Sequence, residues 1–156
     1  MNSDMNLIVF SPVCGTVMPL SEVPDPVFAD KMLGDGLAIN PQEGFIYAPF
    51  NGAIKAVHKF FHALVIETKG VEVLIHIGVE TANMKGDGFK AFVTIGQEVK
   101  QGDKLISFDP KSVAKKAKSN LVIVIVSNLP QADLNKTERT GVKAGDFLFS
   151  IGKDLS

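Results

Sequence analysis

The sequence predicts an all-β fold, an antiparallel β-sandwich or barrel with internal pseudo-repeats and one or two short helices. Proline or glycine interrupts the chain about every 8–12 residues, and short runs rich in Val, Ile and Phe lie between these breaks. Long stretches with the 3.6-residue periodicity of an amphipathic helix are missing. The length suits one domain, and no linker composition is visible, so residues 1–156 are expected to form a single domain.

Eight segments have the length and composition of strands, because each is short, rich in β-branched or aromatic residues and bounded by turn residues. Two short helices are also predicted. The first covers about 26–31, with Asp25 as its N-cap, and the second covers about 111–119, with Pro110 at its start. The predicted strands are 36–39, 44–48, 53–57, 63–67, 71–77, 104–108, 121–127 and 147–151.

Two pairs of segments repeat each other. Residues 99–105 and 142–148 both read valine, lysine, any residue, glycine, aspartate, any residue, leucine. Each predicts a tight turn in which the glycine has positive φ, the aspartate bonds back to the backbone and a strand follows. Residues 12–17 and 49–54 form the second pair, which also reads as a turn followed by a strand. These repeats concern the fold and not the chemistry.

Composition excludes several classes of protein. The net charge is −1, which gives no electrostatic signature for binding nucleic acid or an anionic membrane. Cys14 is the only cysteine, so it cannot form an internal disulfide, and it is interpreted as a small buried hydrophobe. No apolar run approaches the roughly 20 residues that span a bilayer. The first nine residues do not resemble a secretion signal. We therefore expect a cytoplasmic protein.

The segment from His58 to Glu80 carries the most chemical information. A three-residue loop, 68–70, with its glycine left-handed, would pair Glu67 with Val71. His62 and His76 would then lie directly opposite each other, with Cβ atoms roughly 5 Å apart. Alternation along the second strand sends Val71, Val73, Ile75 and Ile77 to the core. The same alternation sends His76 to the other face, beside Gly78, where there is room for a ligand or a partner.

Two adjacent imidazoles have three chemical uses. They can bind a metal, they can act as base and nucleophile, or one can carry a phosphoryl group while the other donates a hydrogen bond to it. A structural role for either histidine remains an alternative at this point. His58 shares the parity of His62 and could be a third metal ligand, but we interpret it as an ordinary strand residue.

Five parts of the chain form an ordered set of specific motifs: the block 23–36, the pair His62-Ala63, the strand 71–81 around His76, the block 85–89 and the turn at 99–103. Together they resemble the glucose-type enzyme IIA domain of the bacterial phosphoenolpyruvate-dependent sugar phosphotransferase system. The resemblance covers about residues 11–153.

This resemblance implies a β-sandwich in which His76 accepts a phosphoryl group on Nε2 from the histidine phosphocarrier protein HPr and passes it to a cysteine of the IIB domain of a sugar permease. It implies that His62 contacts the phosphoryl group without carrying it. No cofactor and no metal are required, although the two histidines could bind zinc weakly. Regulated transporters or enzymes are further implied partners. The implied docking rim contains Asp25, Val27, Phe28, Asp30, Met32, Leu33, Leu74, Glu80 and Ala82.

The chain departs from the family pattern beside the histidines. Glu80 stands where aspartate is common, Phe60 where a supporting threonine is common, and Phe61 where a polar residue is usual. A donor that orients His76 is then expected from elsewhere, such as the backbone. The longer N-terminal tail that some members use at membranes is missing, so membrane binding by that route is not expected.

Two other functions compete with the carrier. A zinc hydrolase could use His62 and His76 with Glu80 or Asp35 as a third ligand, although no dense His-Glu-x-x-His motif is present. A regulatory binding module without transfer activity is the second alternative. No Walker-type phosphate loop occurs, which argues against direct use of a nucleotide.

Overall fold

A computed structural model describes residues 7–130 and 132–152 of the chain, and these residues form short strands joined by turns, with two short α-helices. The strands are β1 (Leu7–Phe10), β2 (Gly15–Pro19), β3 (Asp35–Pro41), β4 (Phe45–Tyr47), β5 (Gly52–Val57), β6 (Ala63–Thr68), β7 (Val71–Val79), β8 (Lys90–Ala91), β9 (Glu98–Val99), β10 (Lys104–Ser107), β11 (Ser119–Val126), β12 (Leu134–Lys136), β13 (Gly141–Val142) and β14 (Phe147–Ile151). The helices are α1 (Pro26–Ala29) and α2 (Pro110–Lys116), and 3₁₀ turns cover Leu20–Glu22 and Thr81–Met84.

The strands form one large and two small antiparallel sheets. The large sheet has the order β13-β2-β3-β11-β7-β6-β5-β9, and the small sheets have the orders β1-β14-β12 and β4-β10-β8. The all-β prediction is therefore confirmed. Strand β7, which carries His76, lies inside the large sheet between β6 and β11, so its backbone is paired on both sides.

The centre of the large sheet is covered on both faces. One face joins a main core that extends from Val9 to Ile151 and includes Val73, Ile75 and Ile77. The other face carries a smaller cluster that includes Phe28 of α1 and Ile123 of β11, with Leu74 packed against it. This explains why β11 is buried at every position from Leu121 to Val126. His76 has the parity of Leu74 and so lies at the border of the smaller cluster.

The repeated turns have matching geometry. Gly102 and Gly145 have φ values of 92° and 95°. In each turn the aspartate Oδ2 accepts the backbone N–H of the lysine three residues earlier, at 2.9 Å from Lys100 and 2.9 Å from Lys143. A strand follows each turn, and β2 and β5 likewise follow the second pair of turns. The pseudo-repeats predicted from the sequence are therefore present in the fold.

Both predicted helices are present but end earlier than expected. Asp25 caps α1 by accepting the Val27 N–H at 3.0 Å, as predicted. Asp109 caps α2, which starts at Pro110.

All eight predicted strands are present. Strands β1 and β12 and the two-residue strands were not predicted, since segments so short leave little pattern. Cys14 is partly exposed, so the expectation that it is buried is wrong. Among residues 7–130 and 132–152, no helix is long and apolar enough to cross a membrane.

Candidate active site

The register of the β6–β7 hairpin differs from the prediction by one residue. The loop has two residues, because Lys69 as well as Gly70 has positive φ, at 52° and 81°. Two left-handed residues are what a type I′ hairpin turn requires. Thr68 therefore pairs with Val71, and His76 lies opposite Ala63 instead of His62. The predicted direct pairing of the two histidines is wrong.

The two imidazoles are nevertheless neighbours. His62 lies immediately before β6, and its carbonyl accepts the Ile77 N–H at 2.8 Å. The preceding residue, Phe61, has a φ of 67°, so the chain enters β6 without the regular alternation of a strand. The ring centroids of His62 and His76 are 5.1 Å apart, with an interplanar angle of 73°. The juxtaposition predicted from the sequence is thus present, although through a loop and not through strand register.

His76 is fixed by the backbone of its own strand. Its Nδ1 lies 2.9 Å from the carbonyl oxygen of Gly78. Since a carbonyl oxygen only accepts, Nδ1 carries the proton and Nε2 keeps a free lone pair. The sequence suggested a backbone group that orients His76, but the group is an acceptor and not a donor. The ring also packs on Phe28, at a centroid distance of 5.1 Å. Nε2 is therefore the ring nitrogen with a free lone pair, on a half-buried imidazole that is held in one orientation.

Gly78 is required by packing and does not provide room for a ligand. Its φ is 77°, and a Cβ at this position would lie 2.6 Å from the Ser119 carbonyl oxygen and 2.5 Å from Thr81. The Thr81 hydroxyl in turn donates to the Ile77 carbonyl at 2.8 Å. This closely packed turn at the end of β7 fixes the position of the carbonyl that accepts from His76.

His62 has less exposed surface than His76, and its Nδ1 lacks the hydrogen bond that the Nδ1 of His76 makes. Only 3% of its surface is exposed, and its Nδ1 is buried without a hydrogen-bond partner. The rings around it are those of His58, His76 and Phe89, at centroid distances of 4.1, 5.1 and 6.3 Å. Aromatic packing surrounds this ring, whereas His76 has a hydrogen bond as well.

Both histidines favour the neutral form. Desolvation by burial, with smaller contributions from His76 and His58, lowers the pKa of His62 from 6.5 to about 4. Burial also lowers the pKa of His76, and electrostatic repulsion from His58 lowers it further. The hydrogen bond to Gly78 and the carboxylate of Asp25 oppose that shift without reversing it. A neutral imidazole is the form in which a ring nitrogen can attack phosphorus.

The two histidines open into a depression of about 270 Å³. Five of the predicted rim residues line it: Asp25, Val27, Phe28, Glu80 and Ala82. Val27, Glu80 and Ala82 are exposed and Asp25 is half-buried, whereas Phe28 is only 5% exposed. Phe28 therefore forms the floor under His76 and not an exposed edge. The Phe28 ring joins the smaller apolar cluster, so this side chain is part of the core.

The remaining rim residues lie outside this depression. Met32 and Leu33 are 68% and 43% exposed and line a neighbouring cleft of about 370 Å³. Asp30 is exposed, and Leu74 is half-buried against the smaller cluster. Exposed apolar side chains are thus present at the histidine depression, in Val27, and beyond the end of α1, in Met32 and Leu33.

The candidate third metal ligands differ in position. Glu80 lines the histidine depression. Asp35 lines the neighbouring cleft instead, where its Oδ1 lies 2.8 Å from the ammonium of Lys136 and 3.5 Å from that of Lys31. Among residues 7–130 and 132–152, no group of three or more His, Cys, Asp or Glu side chains is arranged to hold a metal ion.

Sequence reasoning missed the role of the loop 58–62. His58 lies just beyond β5, so it is not the strand residue that we expected, and its ring packs against that of His62 in a tilted arrangement. Phe61 has a left-handed backbone, and its side chain is 39% exposed. Its positive φ had no signal in the sequence, because bulky residues rarely adopt it.

The chain is similar to known proteins in both sequence and structure. The sequence model of the family described as phosphoenolpyruvate-dependent sugar phosphotransferase system, EIIA 1, matches residues 7–132. Among solved structures, the chain is similar to glucose permease IIA from Mycoplasma capricolum, with a TM-score of 0.89 and 44% sequence identity over 94% of this chain and 96% of that one. Neither comparison supports a zinc hydrolase. The chain therefore belongs to the glucose-type enzyme IIA family, and it is a phosphoryl carrier of the sugar phosphotransferase system.

Proposed function

We propose that His76 is the residue that carries the phosphoryl group. The observation that carries this assignment is the hydrogen bond from its Nδ1 to the Gly78 carbonyl, which leaves the Nε2 lone pair free for attack. The bond from phosphorus to the donor's histidine nitrogen breaks as the bond from phosphorus to Nε2 forms. In the next step, the bond to Nε2 breaks as an acceptor's cysteine sulfur attacks. Catalysis depends on positioning and on hydrogen-bond donors to the transferring oxygens.

His62 is proposed as the donor to the phosphoryl oxygens. Its buried Nδ1 has no acceptor nearby, so a proton is better placed on Nε2. The ring centroids of His62 and His76 are 5.1 Å apart, close enough for a phosphoryl group on His76 to contact the His62 ring as well. A dianionic group on His76 would also raise the pKa of His62 from its low value and strengthen this donor.

The proposed partners are HPr as donor and the IIB domain of a sugar permease as acceptor, in the cytoplasm. The exposed side chains of Val27, Met32 and Leu33 support an apolar docking surface, in which the flexible Met32 side chain can adapt to more than one partner. The carboxylates of Asp25, Asp30 and Glu80 near it would attract a basic partner surface. The main core joins Val9 to Ile151, which supports a single domain.

Phosphorylation by phosphoenolpyruvate, enzyme I and HPr tests the assignment in two matched variants. His76→Gln is expected to lose all label while keeping the fold. His62→Gln is expected to accept label and to pass it on at least about 100-fold more slowly, the usual scale of a lost transition-state donor. Phosphopeptide mapping at alkaline pH locates the label. Label on His62, or loss of label only in His62→Gln, would reverse the roles.

A further inference from the structure

The orientation of His62 has no explanation in its own hydrogen bonds. Its ring is buried and its Nδ1 is unpartnered, whereas the Nδ1 of His76 is held by Gly78. The nearest ring is that of His58, whose centroid is 4.1 Å away at an interplanar angle of 44°. The rings of His76 and Phe89 are 5.1 and 6.3 Å away. His58 therefore makes the closest aromatic contact of His62.

His58 is itself held in place by three hydrogen bonds at the base of the loop. Its backbone N–H donates to the Ala63 carbonyl at 2.8 Å, and its carbonyl accepts the Phe61 N–H at 2.8 Å. Its side-chain Nδ1 accepts the Phe60 N–H at 3.0 Å. These bonds fix both the backbone and the ring of His58, so the ring is a rigid support although the residue is exposed.

We propose that His58 is a positioning residue for phosphoryl transfer, whose fixed ring holds the His62 imidazole toward His76. The inference rests on the proposed function of the two histidines. His58 does not touch the phosphorus; it limits the rotation of the ring that does contact the phosphoryl group. A catalytic group held in one orientation gains rate because less freedom is lost in the transition state.

Three substitutions separate the ring from its hydrogen bond. His58→Phe keeps a ring at this position and loses the acceptor for the Phe60 N–H. His58→Asn keeps a side-chain acceptor for that N–H and loses the ring. His58→Ala loses both. If ring contact positions His62, His58→Phe should transfer within about 2-fold of the wild type, and the other two about 10-fold more slowly.

The measurements are the rate of transfer from the phosphorylated variant to IIB and the imidazole NMR signals of His62. We expect kcat to fall in His58→Asn and His58→Ala with KM for IIB unchanged, and the His62 signals to shift and broaden. His58→Asn controls for loop stability, because it keeps the hydrogen bond at the base of the loop. Denaturant unfolding of each variant measures that stability.

Two outcomes would overturn the inference while leaving the proposed function intact. One is wild-type transfer in His58→Asn and His58→Ala with His76 fully labelled. The other is a loss of rate in His58→Phe as large as in His58→Ala, which would place the effect in the hydrogen bond and not in the ring. A wild-type protein that is not labelled at His76 would overturn the proposed function, and this inference with it.

Discussion

The two histidines meet in one depression but are held by different kinds of structure. His76 is part of β7, which is paired on both sides in the large sheet, and its ring is bonded to the carbonyl of Gly78. His62 follows a left-handed residue at the end of a loop, and its Nδ1 has no hydrogen-bond partner. One imidazole is fixed by the sheet, and the other is enclosed mainly by rings.

This difference matches the two roles that we propose for these histidines in phosphoryl transfer. The residue that forms and breaks a covalent bond needs one constant tautomer and one position, which a central strand provides. The assisting residue must respond to a charge that arrives and leaves. A buried ring responds strongly to a nearby dianion, because little water screens the charge and the dianion favours protonation of the ring.

The largest expected effect concerns the turn that holds His76. Gly78→Ala should lower the free energy of unfolding by about 3–5 kcal/mol, because it combines a left-handed φ with contact against the Ser119 carbonyl. Gly70→Ala is the matched control: its φ is 81° but a Cβ there meets nothing within 4 Å, so about 1 kcal/mol is expected. Urea unfolding measures both. Equal losses would mean that packing at Gly78 contributes nothing.

A pH dependence of stability should come mainly from His62. Its pKa is about 4 when folded and 6.5 ordinarily, so between these values the unfolded chain binds more protons. The free energy of unfolding must then fall as pH falls from 6.5 to 4, by up to roughly 3 kcal/mol. The lowered pKa of His76 acts in the same direction.

His62→Gln tests this dependence, because it removes the titrating ring and leaves His76 in place. Its urea unfolding curves at pH 8, 6, 5 and 4 should show a distinctly smaller loss of stability than those of the wild type. Asp35, whose pKa is lowered below 3.8, should contribute mainly below pH 4. The same loss in both proteins would show that His62 is not the responsible group.

The smallest expected effect concerns the left-handed residue before His62. Phe61→Val and Phe61→Asn both remove the ring, but a β-branched residue tolerates a φ of 67° much less well than asparagine does. We expect Phe61→Val to be less stable than Phe61→Asn by about 1 kcal/mol in urea unfolding. Equal stability would indicate that the loop relaxes without strain at position 61. The left-handed backbone before His62 would then not be a rigid part of the structure that holds this imidazole.

Local pattern was enough to predict much of the fold and part of the site. Alternation along β7 correctly separated Val73 and Ile75 from His76, because side chains on successive strand residues point to opposite faces. The turns at Gly102 and Gly145 were predictable because glycine and aspartate act within a few residues of each other. The hairpin register was not, because Lys69 adopts a left-handed φ that its residue type does not favour.

The all-β architecture, the pseudo-repeats and the choice of His62 and His76 as a pair could be predicted from residue order alone, since alternation, turn chemistry and motif spacing are local properties. Three contacts are visible only in the three-dimensional structure: Phe28 lies beneath His76, the Gly78 carbonyl accepts from His76, and the His58 ring packs against that of His62. Those contacts depend on where loops and distant strands meet. A loop's path is set by packing across the whole molecule and not by the residues of the loop alone.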